Sequence, residues 1–504
     1  MKEILERRSI RKYENKALSL DLLKKIIGAA LKAPSAKNRQ PWKFIVLVSE
    51  EKDKFVQVMR QGIERERVTK VLLPNSSNYI SAAKHTATII EQAPVLIVVC
   101  NPSGHSLYED LTPEEKIYDE QKTFAMIVCA HNEAQVIGQL VENLHLLNYS
   151  DQLYDIFVVA DNCKDNTAQI ARQAGAIVYE RFNDNEKGKG FAMDWMFQRL
   201  FEMERQYDAV CVFDADNLVH PNFLREMNSR LCKGERLIQG YLDSKNPNDT
   251  WISGVFSISF WVVNHVWHLA KYNIGLSSCL GGTGMCISTD ILRRHGWGAT
   301  CLTEDMEFTM KALLEGIPTT WAHDAIVYDE KPLTFMQSWN QRKRWAQGHF
   351  DVANRYIGKL FVKGIKERNI VVLDGIINLF QPYFLLISTF FVICSYIYQF
   401  YPFYTNVLYA ILPLEVWTLI GIGQYIFPMI VLFKIHASFK SWMYLLLYPL
   451  FIYSWIPITV LGYIHRHDHE WSHTAHTRGI SFNEVLIPEN AELGPKQVVF
   501  PKKQ

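Results

Sequence analysis

The sequence predicts an α/β domain followed by an α-helical transmembrane region and preceded by a smaller, partial α+β segment. Three observations predict it. Residues 122–340 alternate short β-branched runs with helix-period patterns, as α/β folds do. Residues 369–466 are almost free of acidic side chains and rich in Leu, Ile, Phe, Tyr and Val. The first 120 residues combine a basic amphipathic opening with one strong strand pattern. A chain of 504 residues is too long for one ordinary domain. Its mean hydropathy near zero averages a soluble part with a membrane part.

Composition excludes several classes. A formal net charge of +1 lacks the basic surplus of a nucleic-acid binder, so no nucleic-acid partner is expected. The nine cysteines are scattered with no C-x-x-C pair, which favours reduced cytosolic thiols over zinc or disulfides. The opening Met1–Arg8 is charged and has no signal-peptide core, so the soluble part is expected in the cytosol.

Taken in order, the first element is the buried strand Val95–Cys100, apolar, β-branched and bounded by turn residues. The polar stretch 101–121 marks a boundary. Strands are expected at 124–129, 155–160, 176–179 and 209–213, with a helix at about 133–147 after the first. Three of these strands end in polar residues: His131 and Asn132, then Asp161, then Asp214 and Asp216. Open α/β sheets bind ligands beyond their strand C-termini, so these positions are expected to converge. Residues 341–368 carry eight Lys and Arg interleaved with aromatics, which suits an interfacial helix on a cytosolic leaflet. Apolar spans follow at about 370–398, 414–433 and 441–464, each able to cross a hydrocarbon core about 30 Å thick. Positive residues place the start of the first span, and Lys434 and Lys440, inside. Three crossings would then leave the tail outside, unless a further span lies at about 400–412 or one segment is re-entrant.

Asp214-Ala-Asp216 puts two carboxylates two residues apart at a strand end, a pattern able to hold a hard cation. Thr303-Glu304-Asp305 follows Gly281-Gly282-Thr283-Gly284 by about twenty residues. It offers either a base for proton abstraction or a helix N-cap on Thr303 with acids in the first turn. Gln341-x-x-Arg344-Trp345 sets an amide, a cation and a stacking ring on one helical turn.

The order Asp161, Asp214/Asp216, Thr303-Glu304-Asp305, Gln341-x-x-Arg344-Trp345, then apolar spans resembles the processive family 2 glycosyltransferases. These are the cellulose, chitin and hyaluronan synthases and their bacterial exopolysaccharide relatives, and the resemblance covers about 120–480. It implies a Rossmann-like, GT-A type catalytic domain at 121–340, interfacial helices at 341–368, transmembrane helices at 369–466 and a cytosolic tail at 467–504. It implies inverting transfer from a UDP-sugar to a growing β-linked glycan acceptor, with Mg2+ or Mn2+, on the cytosolic side of a bacterial inner membrane crossed several times. The lipid bilayer is thus an expected partner, with homo-oligomers or accessory export proteins. By resemblance Asp161 holds the nucleotide base, Asp214 and Asp216 the nucleotide and metal, and Asp305 is the general base beside Glu304. Gln341, Arg344 and Trp345 lie at the pyrophosphate and acceptor. His131, Asn132 and Glu133 resemble the nucleotide-contacting first loop, and Lys187 and Lys189 the lysine-glycine segment near the diphosphate. The Gly281–Gly284 segment either lets a sugar approach the backbone, at Gly282 and Thr283, or is simply a turn. Trp471 and Thr474 resemble a gating element after the membrane helices.

The front of the chain departs from that family, whose members usually carry membrane helices there. Arg7-Arg-Ser-Ile-Arg-Lys-Tyr13 and Ala33-Pro-Ser-Ala-Lys-Asn-Arg-Gln-Pro-Trp42 resemble the N-terminal half of the flavin-dependent nitroreductases. The resemblance implies FMN contacts from Arg7, Arg8, Ser9 and Arg11 to the phosphate and from Ser35, Asn38 and Gln40 to the flavin. It stops near 120, without the half that completes the flavin site and dimer. A remnant, a docking module and a weak flavin binder are the alternatives for 1–120. A membrane-anchored flavin oxidoreductase is the alternative for the whole chain.

Overall fold

The computed structural model describes residues 18–31, 43–69, 77–100, 121–298, 301–400, 414–466 and 479. The chain divides into two compact units, Met1–Ile117 and Tyr118–Gln504.

In the first unit, helix α1 (Leu20–Leu31) precedes strand β1 (Lys43–Val48), helices α2 (Ser49–Thr69) and α3 (Ser77–Gln92), and strand β2 (Val95–Cys100). The strands pair antiparallel from Val48↔Val95 to Lys43↔Cys100. Arg60–Glu91 at 2.7 Å and Lys84–Glu64 at 2.5 Å join the two longer helices. Arg7, Arg8, Ser9, Arg11, Ser35, Asn38 and Gln40, the expected flavin contacts, lie outside the described residues.

The second unit is built on β3 (Phe124–Ala130), α4 (Ile137–Leu144), β4 (Tyr154–Asp161), α5 (Thr167–Gln173), β5 (Ile177–Arg181), α6 (Lys189–Glu202) and β6 (Ala209–Asp214). There follow β7 (Leu218–Val219), α7 (Phe223–Cys232), β8 (Leu237–Ser244), α8 (Trp251–Val262), a π-helical turn at Val263–His268, α9 (Leu269–Asn273), β9 (Met285–Ser288), α10 (Thr289–His295), α11 (Glu304–Leu314) and β10 (Thr320–Asp329). The strands form one mixed eight-stranded sheet in the order β5-β4-β3-β6-β9-β8-β10-β7. Strands β5, β4, β3 and β6 run parallel, so their C-termini share one edge. Both faces are covered, which is why these strands read as continuous apolar runs. Along β3 the pleat sends Phe124, Met126 and Val128 to one core layer and Ala125 and Ile127 to the other.

The four strands expected from sequence are all present, but the first helix is shorter than expected. It starts at Ile137, not Glu133, because Asn132 takes φ 56° and the next backbone N–H groups are engaged locally. Glu133 donates to Thr167 Oγ1 at 2.8 Å and Ala134 to Asp165 Oδ2 at 3.2 Å. Asparagine is among the few side chains that tolerate that left-handed conformation.

A single 33-residue helix, α12 (Phe335–Glu367), runs through the expected boundary at 340. Thr334 and Gln337 close its N-terminus as a capping box. It is followed by α13 (Ile370–Phe400), α14 (Leu414–Lys434), α15 (Phe439–Tyr444) and α16 (Tyr448–Ile464). Where three spans were expected, two stretches among the described residues are long and apolar enough to cross a membrane, Ile370–Phe390 and Phe439–Ile464; Tyr425–Lys434 is a shorter apolar helix. The stretch 401–413, where a further span was considered, lies outside the described residues.

Arg342 shows how the basic helix is used. Its side chain does not face a leaflet; it is fully buried, donating to Ser454 Oγ at 2.8 Å and lying 4.2 Å over the Phe451 ring. Pro382 inside α13 has no N–H for the carbonyl four residues back. His349 Nε2 of α12 donates to that Asn378 carbonyl instead, at 2.9 Å, and burial lowers its pKa to about 4, so the ring stays neutral.

Candidate active site

A cavity of about 1320 Å3 opens beyond the strand C-termini and continues between α12, α13 and α16. Its polar end is lined by Lys187, Lys189, Asp214, Glu304, Asp305 and Arg344, and its far end by Phe384, Leu385, Phe451, Ile452 and Trp455. Six stretches far apart in sequence thus meet in one space.

Strand β6 delivers Asp214 to its tip. The Asp214 backbone N–H donates to Thr283 Oγ1 at 3.1 Å and Asn217 Oδ1 at 3.0 Å, and Thr283 itself is 3 % exposed. Lys189, the first residue of α6, donates to the Asp214 carboxylate and, at 2.7 Å, to the Gly282 carbonyl. Burial works against this ammonium, but Asp214 and then Glu304 outweigh it, and the Lys189 pKa is raised. Asp216 is placed differently from Asp214. It is 4 % exposed and accepts the Glu330 N–H at 3.0 Å behind the cavity wall.

The fit to a divalent ion rests on Asp214, whose carboxylate lines the cavity. Mg2+ and Mn2+ are commonly held by one or two carboxylates, with substrate phosphates and water completing the shell, and Asp214 suits that demand. Among the described residues no group of three or more His, Cys, Asp or Glu forms an all-protein metal site.

Helix α11 begins at Glu304, as the sequence suggested, but Thr303 does not cap it: no side-chain cap bond is present. Asp305 instead holds its own turn, accepting the Met306 N–H at 2.7 Å. Burial raises the Glu304 pKa to about 7, with the Asp305 charge adding to it and Lys189 opposing. Burial likewise raises Asp305, against the Met306 N–H and Lys189. Gly282, at φ +79°, explains the glycine-rich turn: a Cβ there would lie 3.3 Å from Asp305 Oδ2.

From α12, Gln341, Arg344 and Trp345 all line the cavity. Gln341 Oε1 is buried without a hydrogen-bond partner. Arg344 feels the charges of Glu304, Asp214 and Asp305, although burial lowers its pKa overall. Trp345 packs edge-on against Phe256, ring centroids 5.9 Å apart.

The next turn of α12 fixes the distance to α11. A Cβ on Gly348 would lie 2.6 Å from Thr303 Oγ1 and 2.9 Å from the Thr303 backbone nitrogen. Helix propensity alone favours Gly→Ala by about 1 kcal/mol, but overpacking against backbone costs about 1–3 kcal/mol and here displaces the acidic motif. Gly348→Ala is therefore expected to lower the unfolding temperature and to cut turnover by about tenfold or more. A variant more stable and fully active would show that the contact is loose.

Beside the cavity, His131, Asn132, Glu133 and Asp161 gather at the ends of β3 and β4. His131 Nδ1 donates to the Asp161 carbonyl at 2.7 Å, and Asn132 Oδ1 accepts the Lys164 N–H at 2.7 Å. The Asp161 carboxylate meets Arg181 at 2.7 Å, both nearly buried, and Arg181 also donates to the Glu186 carbonyl at 2.8 Å. Sequence reasoning missed Arg181, as it missed Asp329, Lys331, Phe256 and Phe260 in the cavity wall. Strand-end position was the available signal for Arg181 and Asp329. Trp471 and Thr474 lie outside the described residues.

Residues 121–348 match the family model for glycosyltransferase like family 2, and residues 4–153 match the nitroreductase family. The nitroreductase match runs past the expected limit near 120 into β3 and α4 of the second unit. The probable glycosyltransferase YdaM of Bacillus subtilis (strain 168) is 25% identical over 256 residues, 49% of this chain and 59% of that protein. The beta-monoglucosyldiacylglycerol synthase of Trichormus variabilis is 25% identical over 238 residues, 45% of this chain and 48% of that protein. The poly-beta-1,6-N-acetyl-D-glucosamine synthase of Staphylococcus aureus (strain COL) is 22% identical over 242 residues, 47% of this chain and 57% of that protein. The chain spans roughly half the length of the curated relatives it matches. The mixed sheet, the strand-end aspartates and the match at 121–348 fall on one domain, so this part of the chain carries a glycosyltransferase like family 2 domain, and residues 4–153 match the nitroreductase family.

Proposed function

We propose that the protein is a membrane-bound, inverting glycosyltransferase that moves a sugar from a UDP-sugar onto a growing β-linked polysaccharide, processively. The observation that carries this reading is the convergence of Asp305, Lys189–Asp214 and Gln341/Arg344/Trp345 on one cavity that runs on between the apolar helices. Asp305 takes the proton of the acceptor hydroxyl as its oxygen bonds to the donor's anomeric carbon. The bond from that carbon to the diphosphate breaks on the opposite side, and UDP leaves. One displacement turns an α-linked donor into a β-linked product. Glu304 keeps the base in a crowded anionic corner where its affinity for a proton is high.

Arg344, Lys187 and Lys189 stabilise the leaving diphosphate. Asp214, backed by Asp216, would hold a Mg2+ or Mn2+ ion, which supplies further charge neutralisation to that group. His131, Asn132, Glu133 and Asp161 bind the nucleotide. Gly282 and Thr283 line the donor sugar, Gln341 offers its unpaired oxygen to a sugar hydroxyl, and Trp345 stacks on the acceptor. Trp471 and Thr474 are assigned to gating by resemblance alone. The two apolar helices support a place in a membrane; the bacterial inner membrane, the several crossings and the cytosolic catalytic domain rest on the resemblance alone. Homo-oligomers or export partners accompany that reading. The apolar far end of the cavity also favours a second acceptor class, a membrane lipid. FMN has only the nitroreductase match of the first unit behind it.

The test is UDP release by the detergent-purified chain across a panel of UDP-sugars, with product analysis for polymer against glycolipid. EDTA is expected to abolish release, and added Mn2+ or Mg2+ to restore it. Release unaffected by chelation would remove the metal from the reading. No release with any donor, with and without added lipid, would remove the proposal itself.

A further inference from the structure

The cavity wall contains a buried ion pair that the transfer chemistry above does not use. Asp329 ends β10, and Lys331 follows two residues later. Lys331 Nζ lies 2.6 Å from Asp329 Oδ1 and 2.9 Å from Oδ2, and 3.2 Å from the centroid of the Phe260 ring. Lys331 is 2 % exposed. Its backbone is clamped by Asn246, which accepts the Lys331 N–H at 2.8 Å and donates to its carbonyl at 2.9 Å. The intervening Glu330 N–H donates to Asp216. The turn is therefore held rigidly between the strand-end aspartates and the aromatic group Phe256, Phe260 and Trp345, whose centroids lie 5.7–6.4 Å apart.

Such a pair is poorly explained by stability. Burying two charges costs several kcal/mol per ion before their attraction is counted, and apolar residues of like volume often serve as well or better. Burial in fact outweighs the partner here: it pushes Asp329 up to about 6 and lowers Lys331. What the pair presents to the cavity is a hydrogen-bond acceptor and a donor beside an aromatic face. That combination complements a sugar ring, whose hydroxyls both donate and accept and whose C–H face stacks.

We propose that Asp329 and Lys331 form a specificity-determining subsite that binds the hydroxyls of the acceptor's terminal sugar while its ring lies against Phe260 and Trp345. The assignment rests on the glycosyl-transfer reading. It concerns the acceptor, not the donor, because the pair borders the aromatic group from which the cavity continues towards Phe451 and Trp455, whereas Lys189 and Asp214 hold the diphosphate end.

The test uses the full chain with its active donor and oligosaccharides of the same hexose. The double variant Asp329→Leu/Lys331→Met removes both charges without orphaning either. The kcat/KM for the acceptor is expected to fall about 30-fold, the loss of one or two charge-assisted hydrogen bonds. The acceptor KM should rise, and UDP with Mn2+ should still raise the unfolding temperature. If that variant does not fold by this criterion, Asp329→Asn/Lys331→Gln keeps the shapes and should lower the acceptor kcat/KM about tenfold, because neutral hydrogen bonds are weaker. A folded variant of either kind with the wild-type acceptor kcat/KM and KM would overturn the subsite alone. A wild-type chain that transfers no sugar would overturn the glycosyl-transfer reading and this subsite with it.

Discussion

Asp305→Asn is expected to lower the rate of UDP-sugar turnover by about 10²–10⁴-fold, the usual contribution of a positioned general base. The substitution keeps size and shape, and an amide nitrogen or oxygen can still lie beside Gly282 and the Met306 N–H. What it removes is the capacity to take a proton. The donor KM should change little, because the proposed diphosphate contacts, Lys189 and Asp214, do not need the Asp305 charge. Retained turnover would move the base elsewhere, with Glu304 the first candidate. The pH behaviour provides an independent check. Burial raises both acids, Glu304 to about 7, so folding favours their protonated forms. The stability they contribute is fully present below the ordinary carboxylate range and is lost as pH rises through about 7. Activity is expected to have the opposite sign, because a base at Asp305, as proposed, acts only when ionised. Between about pH 5.5 and 8, turnover should rise while the unfolding temperature of the unliganded protein falls. Asp305→Asn should flatten that fall, since it removes one of the two coupled charges. Stability that rises with pH across this window would contradict the arrangement.

The second large effect concerns how the C-terminal helices are held. Lys271 of α9 and Asp374 of α13 form an ion pair at 2.7 Å, with 5 % and 6 % of the residues exposed. Asn378 Oδ1 accepts from Lys271 at 3.0 Å and from Trp267 Nε1 at 3.2 Å. Removing one member leaves a charge without its partner in a closed space, which costs about 3–5 kcal/mol. Asp374→Ala should therefore lower the unfolding temperature by about 10 °C. The double variant Lys271→Met/Asp374→Leu should recover most of that loss, because neither charge is orphaned. A single variant as stable as wild type would mean that water reaches Lys271. The pair also bears on membrane depth. Asp374 falls within the first apolar stretch, Ile370–Phe390, yet faces the catalytic domain. The early turns of α13 thus belong to the protein core, and the exposed Ile387 and Phe390 offer the surface suited to lipid.

Much of this architecture is local information. The runs at β3, β4 and β6 are apolar because both faces of the sheet are covered, so sequence alone located the strands and the aspartates at their tips. The acidic turn of α11 and the Gln341/Arg344/Trp345 helix were legible for a similar reason: each is contiguous and carries its spacing within one or two turns. Arg342 and Arg344 were not separable in this way. Both sit in one basic stretch, and only the packing of α16 sends Arg342 into Phe451 and Ser454 while Arg344 faces the acids. Asp329-Glu-Lys331 reads as an ordinary polar turn until the order β6-β9-β8-β10 brings it behind Asp216. The Lys271–Asp374 pair joins residues 103 apart. By itself the sequence determined the fold class, the apolar character of the C-terminal region and the residue types at the strand ends, because periodicity and strand-end composition are written within a few residues. Its three expected spans became two long apolar stretches among the described residues. Tertiary structure alone decided which aspartate of the Asp214/Asp216 pair faces the cavity, which charges are buried and which aromatics line the cavity. Those outcomes depend on contacts between elements far apart in the chain, where burial and neighbouring charge, not local pattern, set each group's state.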